Sequence, residues 1–236
     1  MITVLARHAG RDVVSVPLGH GQDPVDVLAA QGWRSATTPV VEGVLGDLVL
    51  RYDVEPLAGA EPDAAVRSPA RSEGPGLTHA ERRRIQPHQR VAAYAVVVAD
   101  ERLLLTQLAP RTGAPGRWNL PGGGVEPGES PVDAVVREVA EETGQEVDTV
   151  RLVDVMTQHW MGRSQRGLED YHAVRLLHTA RCPRPTRPVV HDVGGSTSDA
   201  AWVPLRDLAS VDVVESVMVA LVAVGLGGDR HVWPQS

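Results

Sequence analysis

Apolar residues in this chain come in short runs whose period changes along its length. Ile2 to Ala6 and Asp12 to Leu18 have strand-like apolar content. Asp23, Pro24 and Gly32 bracket a short helix over 24–31, with a capping acid, a proline in the first turn and a glycine stop. Val40 to Val44 and Asp47 to Val54 predict a strand pair turning near Gly46-Asp47. From Leu57 to Leu77 the apolar period disappears, and Ala, Pro, Gly, Ser and charged residues predict a linker.

A second set of elements begins near Arg82. Arg90 to Val98 and Arg102 to Leu108 read as strands joined at Ala99-Asp100-Glu101, and a Gly/Pro-rich loop follows from Pro110 to Gly128. A helix is predicted from Pro131 to Thr143, and strands at Val150 to Thr157 and Tyr171 to Thr179. Trp202 to Leu205 precedes a final helix over 211–224. No internal repeat is visible. Interleaved strands and helices predict a layered α/β architecture. The expected domains are a small α+β unit over 1–56, a linker over 57–81 and a larger α/β domain over 82–236.

Composition narrows the chemistry. The longest apolar run, Val91 to Ala99, is far too short for a membrane span, and no charged segment leading into an apolar stretch opens the sequence. The single cysteine, Cys182, cannot pair internally, which fits a reducing cytoplasm. All 23 basic residues are arginines, so a Walker-type phosphate loop and a lysine Schiff base are both excluded. A net charge of −7 argues against a broad nucleic-acid surface. The local basic stretches, Arg82-Arg83-Arg84 and Arg181 to Arg187, read as solvated loop charge.

The helix at 131–143 holds the clearest chemical signal. Ser130-Pro131 starts it, Asp133 completes a box-like cap and Gly144 stops it. Val132, Val135, Val136 and Val139 have the spacing of a buried stripe. Glu138, Glu141 and Glu142 share another face, with small Ala134 beside them. Three carboxylates so placed repel one another by about 0.2–0.5 kcal/mol per pair when solvated. They form either an ordinary acidic surface or a site for a hard cation such as Mg²⁺. The preceding glycines, Gly122, Gly123, Gly124 and Gly128, let backbone approach a ligand closely.

The combined segment, GGVEPGESPVDAVVREVAEETG from Gly123 to Gly144, resembles the Nudix box, G-x5-E-x7-R-E-U-x-E-E-x-G-U with U a bulky apolar residue. Gly123, Glu129, Arg137, Glu138, Glu141, Glu142 and Gly144 match in register, and Val139 fills the first U. Gln145 departs from the final U, and Val147 is expected to take over its packing. The box covers about a tenth of the chain, and weaker likeness, including TSDAAWVPL, extends over roughly 86–226.

This resemblance implies a Nudix-type α/β/α sandwich with a mixed sheet, and Mg²⁺ (or Mn²⁺) as cofactor. Carried over by position, Glu141 and Glu142 are principal metal ligands, joined by the carbonyl near Gly122. Glu138 is a second-metal ligand or the acceptor of a proton from the attacking water. Arg137 orients the cluster and pairs with Glu129. Gly123, Gly124, Arg111 and Arg117 are candidate phosphate contacts. Glu169 and Asp170 are candidates for a distal ligand or base, otherwise solvent-facing acids. Tyr94, Trp118, Trp160 and Trp202 are candidates to stack a base, Trp202 rather as core packing. His88, His159, His172 and His178 have no metal-ligand spacing.

The implied activity is hydrolysis of a diphosphate bond in a nucleoside triphosphate or a nucleoside diphosphate derivative. The run WNLPGGGVEPGE, Trp118 to Glu129, is similar to MutT-like members, and Val155 to Gln165 lacks the Pro or Tyr that marks some ADP-ribose and dinucleoside-polyphosphate branches. The alternative is a Nudix-like nucleotide sensor without turnover, against which stands the full set of box acids. The N-terminal unit has no evident helix-turn-helix and is expected to be a homodimerisation or lid module. Expected partners are a small-molecule nucleotide, with no membrane and no stable nucleic-acid complex.

Overall fold

In the computed structural model the described residues are 1–57, 72–164, 167–192 and 194–227. The N-terminal segment folds much as its pattern requires. Strand β1 (Ile2–His8) alternates buried Ile2, Val4 and Ala6 with more open positions. Strand β2 (Arg11–Pro17) folds back antiparallel on it. Helix α1 (Pro24–Ala30) is capped by Asp23, whose side chain accepts the Val25 amide, and it buries Val27 and Leu28. Strands β3 (Trp33–Ser35), β4 (Val40–Val44) and β5 (Asp47–Pro56) follow. β5 buries every second residue, Leu48, Leu50, Tyr52 and Val54, which is the period of a strand with one covered face. It runs parallel to β1 and antiparallel to β3 and β4, giving a sheet of order β2-β1-β5-β3 with β4 also on β5.

Most of the expected linker, residues 58–71, lies outside the described residues. Its end is structured. Strand β6 (Ser72–Glu73) and helix α2 (His79–Arg82), capped reciprocally by Thr78 and Glu81, frame Leu77. Leu77 packs with Ile85, Met161 and Leu168. Two isolated apolar residues have no period to read, so this anchor was invisible in the pattern.

The second sheet is built from β7 (Pro87–Ala99), β8 (Arg102–Leu108), β9 (Trp118–Asn119), β10 (Gly122–Gly124), β11 (Asp148–Ser164), β12 (Gly167–Arg181) and β13 (Thr197–Pro204). Its order is β13-β8-β7-β12-β11-β6, with β10 beside β7 and β9 beside β8. The β7–β8 hairpin turns on Asp100 and Glu101, both with positive φ (48° and 57°), the turn that matches strand twist. Helix α3 (Pro131–Thr143) separates β10 from β11, and α4 (Glu215–Ala223) ends the described chain. Among the described residues no helix is long and apolar enough to cross a membrane.

Two expectations change. β11 and β12 extend well beyond the apolar cores predicted at 150–157 and 171–179, because their polar ends continue to pair. The final helix is shorter than 211–224. Residues 211–214 are extended, since Trp118 donates its amide to Asp212 and accepts one from Val214. The arginine clusters are solvated as expected, and they pair with exposed or half-exposed acids: Arg82 with Glu73, Arg181 with Asp148 and Arg184 with Glu146.

Two compact units divide the chain. One comprises Met1–Ala92, Val125–Ser130 and Val155–Arg175; the other comprises Ala93–Gly124, Pro131–Asp154 and Leu176–Ser236.

Candidate active site

Helix α3 turns a different face inward from its valine stripe. Val135 and Val139 are fully buried, but Val132 and Val136 are 41% and 40% exposed. Pro131, Ala134, Glu142 and Thr143 complete the buried side. The helix is therefore rotated toward its glutamates, and burial of one carboxylate is part of how it packs.

Glu142 is 4% exposed. Its Oε2 accepts the Gly122 amide at 3.0 Å and its Oε1 accepts the Thr197 hydroxyl from β13. Desolvation pushes its carboxyl up to about 7, and the charges of Glu138 and Asp192 push the same way, against the Thr197 and Gly122 hydrogen bonds. Neither Thr197, the first residue of TSDAAWVPL, nor Asp192 was a candidate site residue in the sequence. Their only signal is proximity in a fold that brings the segment after β12 back to the helix.

Arg137 joins the other two acids. Its Nη1 donates to Glu138 Oε1 at 3.0 Å and to Glu141 Oε2 at 3.2 Å, while Nη2 donates to the Gly124 carbonyl at 3.0 Å. One planar guanidinium thus sets two carboxylates against the glycine strand and offsets their repulsion. Backbone excludes a side chain at Gly122, and the Glu138 carboxylate crowds one at Gly123. A Cβ on Gly123 would lie 2.5 Å from Glu138 Oε1, and one on Gly122, at φ +143°, would lie 2.3 Å from the Ala93 carbonyl oxygen. Gly122, Gly123, Gly124, Arg137, Glu138, Glu141 and Glu142 are accordingly gathered in one place.

Most of the remaining candidates have partners of their own. Glu129 belongs to the other unit, where its Oε2 accepts the Glu126 amide at 2.8 Å and its carbonyl accepts the Leu45 amide. Arg117 is held by Asp212 at 3.0 Å and by the Val213 carbonyl. Arg111 is exposed in the loop after β8. Asp170 accepts from His20 and His159. Trp202 is not a core residue: it is half-buried, donates Nε1–H to Thr186 O at 2.9 Å and lies under Arg102.

Gln145, where an apolar residue was expected, is 1% exposed and fully engaged. Its Nε2 donates to Thr143 O and Thr186 Oγ1, and its Oε1 accepts the Thr186 amide at 2.9 Å. Val147 is buried nearby in sequence, 9% exposed. Hydrogen bonds to the 182–186 segment thus replace apolar packing at the end of the box.

A NUDIX domain model matches residues 88–221, more than half of the chain. The chain belongs to the NUDIX family. The mixed α/β fold over that range is the family's, and the β-rich N-terminal sheet is an addition to it. The nucleoside triphosphatase NudI of Escherichia fergusonii is 30% identical over 145 residues, 58% of this chain and 98% of that protein. NudI of Escherichia coli O17:K52:H18 is 31% identical over 146 residues, with the same coverage. The crystal structure of a MutT NUDIX hydrolase from Burkholderia pseudomallei aligns at 28% identity and a TM-score of 0.46, over 58% of this chain and 98% of that one.

Proposed function

We propose that this NUDIX protein is a Mg²⁺-dependent hydrolase, with Mn²⁺ as an alternative cation, that cleaves the diphosphate bond of a nucleoside triphosphate or a nucleoside diphosphate derivative. The observation that carries the proposal is the arrangement of Glu138, Glu141 and Glu142 around Arg137 and the glycine strand. The relatives named nucleoside triphosphatase support the substrate class.

The residues fit a hard divalent cation. Every donor is oxygen. Glu142 is buried at the cost of holding its proton near neutrality, and any side chain at Gly123 would fill the space against Glu138. Glu138, Glu141, Glu142 and the Gly122 carbonyl would hold the cation. When bound, it would neutralise charge on the diphosphate and lower the pKa of water.

The chain's own groups do the rest. Arg137 fixes the directions of Glu138 and Glu141 and prevents their mutual repulsion from splaying them. The backbone of Gly123 and Gly124, with Arg111 and Arg117, binds phosphate oxygens; for Arg117 this requires release from Asp212. Glu138 accepts the proton of the attacking water, whose oxygen bonds to one phosphorus while the bridging P–O bond breaks and the other phosphate leaves. Glu129 supports the loop that precedes the helix.

Residues 82–236 form the hydrolase domain in this proposal, 57–81 connect it, and 1–56 form a lid or homodimerisation module. Release of phosphate or pyrophosphate from a nucleotide panel with Mg²⁺ tests the activity. Turnover in wild type and its loss in folded Glu141→Gln support it. Tight nucleotide binding with no turnover on any compound replaces it with a sensor.

A further inference from the structure

Three side chains that are remote in sequence meet in the unit containing the N-terminal sheet. His20 lies in the loop between β2 and α1, His159 on β11 and Asp170 on β12. The Nε2 atoms of His20 and His159 approach the same carboxylate oxygen, Asp170 Oδ1, at 2.8 and 2.6 Å. All three atoms lie within 4.8 Å of one another.

This is more than a surface ion pair. His159 is 9% exposed, and its other ring nitrogen, Nδ1, is buried without a hydrogen-bond partner among the described residues. A third imidazole, His172, is wholly buried beside the cluster, its ring centroid 5.6 Å from that of His20 and 6.2 Å from that of His159. Gln89 Nε2 holds its Nδ1 at 3.0 Å. Burying two imidazoles, with a third half-buried beside them, around one carboxylate is costly unless something favours the convergence of their nitrogen atoms.

We infer that His20, His159 and Asp170 form a binding site for a transition-metal dication, Zn²⁺ by the chemistry of its ligands. Two imidazole nitrogens and one carboxylate oxygen are a borderline donor set that suits Zn²⁺ and discriminates against Mg²⁺. The glutamates of α3 offer only oxygen, so the two sites differ in the metal they select. Bonds of about 2.0–2.1 Å to a tetrahedral zinc place ligand atoms about 3.3 Å apart. The present 2.8 and 2.6 Å separations from the Asp170 oxygen are those of hydrogen bonds, so each nitrogen would move back by roughly half an ångström to admit the ion. Three protein ligands would leave a fourth position for water.

The loop carrying His20 is already held for this purpose. Gln22 Oε1 accepts the Gly19 amide at 2.7 Å, closing the turn around His20. Asp23 caps α1 and also accepts the Thr157 hydroxyl from β11. The metal would therefore join a loop of the N-terminal segment to the β11–β12 hairpin without rebuilding either.

The full chain, stripped with chelator, is dialysed against Zn²⁺ alone in a Glu141→Gln/Glu142→Gln background, and bound metal is counted. Co²⁺ is then substituted to read the ligand field by visible absorption. The inference predicts one equivalent of Zn²⁺ and a tetrahedral cobalt spectrum. Altering groups that merely orient metal ligands commonly weakens binding 10–100-fold, so Asp170→Asn and His159→Gln should each weaken it by about 100-fold or more. If either variant fails to fold by circular dichroism, His20→Gln, at a part-exposed loop position, must show the same loss. Absence of a bound equivalent, or an unchanged Zn²⁺ affinity by competition with a chelator in folded Asp170→Asn, His159→Gln or His20→Gln, overturns the inference.

Discussion

Thr197 on β13 donates its hydroxyl to Glu142 on α3, and both are buried, 5% and 4% exposed. A strand residue 55 positions downstream thus sets one oxygen of the proposed metal ligand. Thr197→Val keeps the shape and removes the donor. The expected loss is about 1–3 kcal/mol in the metal-free protein, read by urea unfolding, together with weaker Mn²⁺ binding at pH 7. Thr197→Ser restores the donor and should recover both. Equal behaviour of the two variants would remove Thr197 from the account.

Arg137 supports a second prediction. Because it bridges Glu138, Glu141 and the Gly124 carbonyl, Arg137→Ala should lower divalent-cation affinity about 10–100-fold. The stability loss should stay near 1 kcal/mol, since the side chain is partly open to solvent. Arg137→Lys should not rescue affinity, because an ammonium cannot reproduce the fork. Parallel metal titration and melting measure both, and equal losses would contradict an orienting role.

The buried carboxyl makes a pH prediction with a definite sign. Glu142 releases its proton near 4.5 when unfolded and near 7 when folded. Between those values the folded state binds more protons, so the metal-free fold loses stability as pH rises, by up to about 3 kcal/mol. His178 opposes this. Burial pulls its imidazole from 6.5 to about 4, so stability falls as pH drops through that window. Burial pulls His172 to about 4 in the same way, so three slopes overlap and only a difference isolates one. Relative to wild type, metal-free Glu142→Gln should gain stability as pH rises from 4.5 to 7, measured by denaturant titration across that range. A pH-independent difference would contradict the buried, proton-holding state.

Gln145 gives a test of the box's C-terminal end. Gln145→Leu restores the apolar residue of the family pattern but strands the Thr186 amide and hydroxyl. It should destabilise by about 1–3 kcal/mol rather than stabilise. Thermal or denaturant melts decide the sign.

The pattern of the chain revealed elements better than it revealed faces. The bounds of α3, β8 and β4 match the expected ones, whereas β1 and β5 each run two residues past the expected 2–6 and 47–54. The inward face of α3 did not follow, because Val132 and Val136 look as buried as Val135 and Val139 until the glutamates' partners are known. Motif register located Arg137, Glu138, Glu141 and Glu142. It could not locate Thr197 or Asp192, whose involvement depends on the return of the chain to the helix. Nor could spacing assemble His20, His159 and Asp170, since their 139- and 11-residue separations are bridged only by strand pairing and a loop. Local periodicity carries local structure; convergent side chains need the topology.

The central claim is metal-dependent hydrolysis by the glutamates of α3. Phosphate and pyrophosphate release from a panel of nucleoside triphosphates and nucleoside diphosphate derivatives with Mg²⁺ tests it most directly, comparing wild type with Glu141→Gln/Glu142→Gln. The account predicts turnover on at least one compound that requires Mg²⁺ and disappears in the folded double variant. Undiminished turnover in that variant, or none in wild type on any compound, would contradict it.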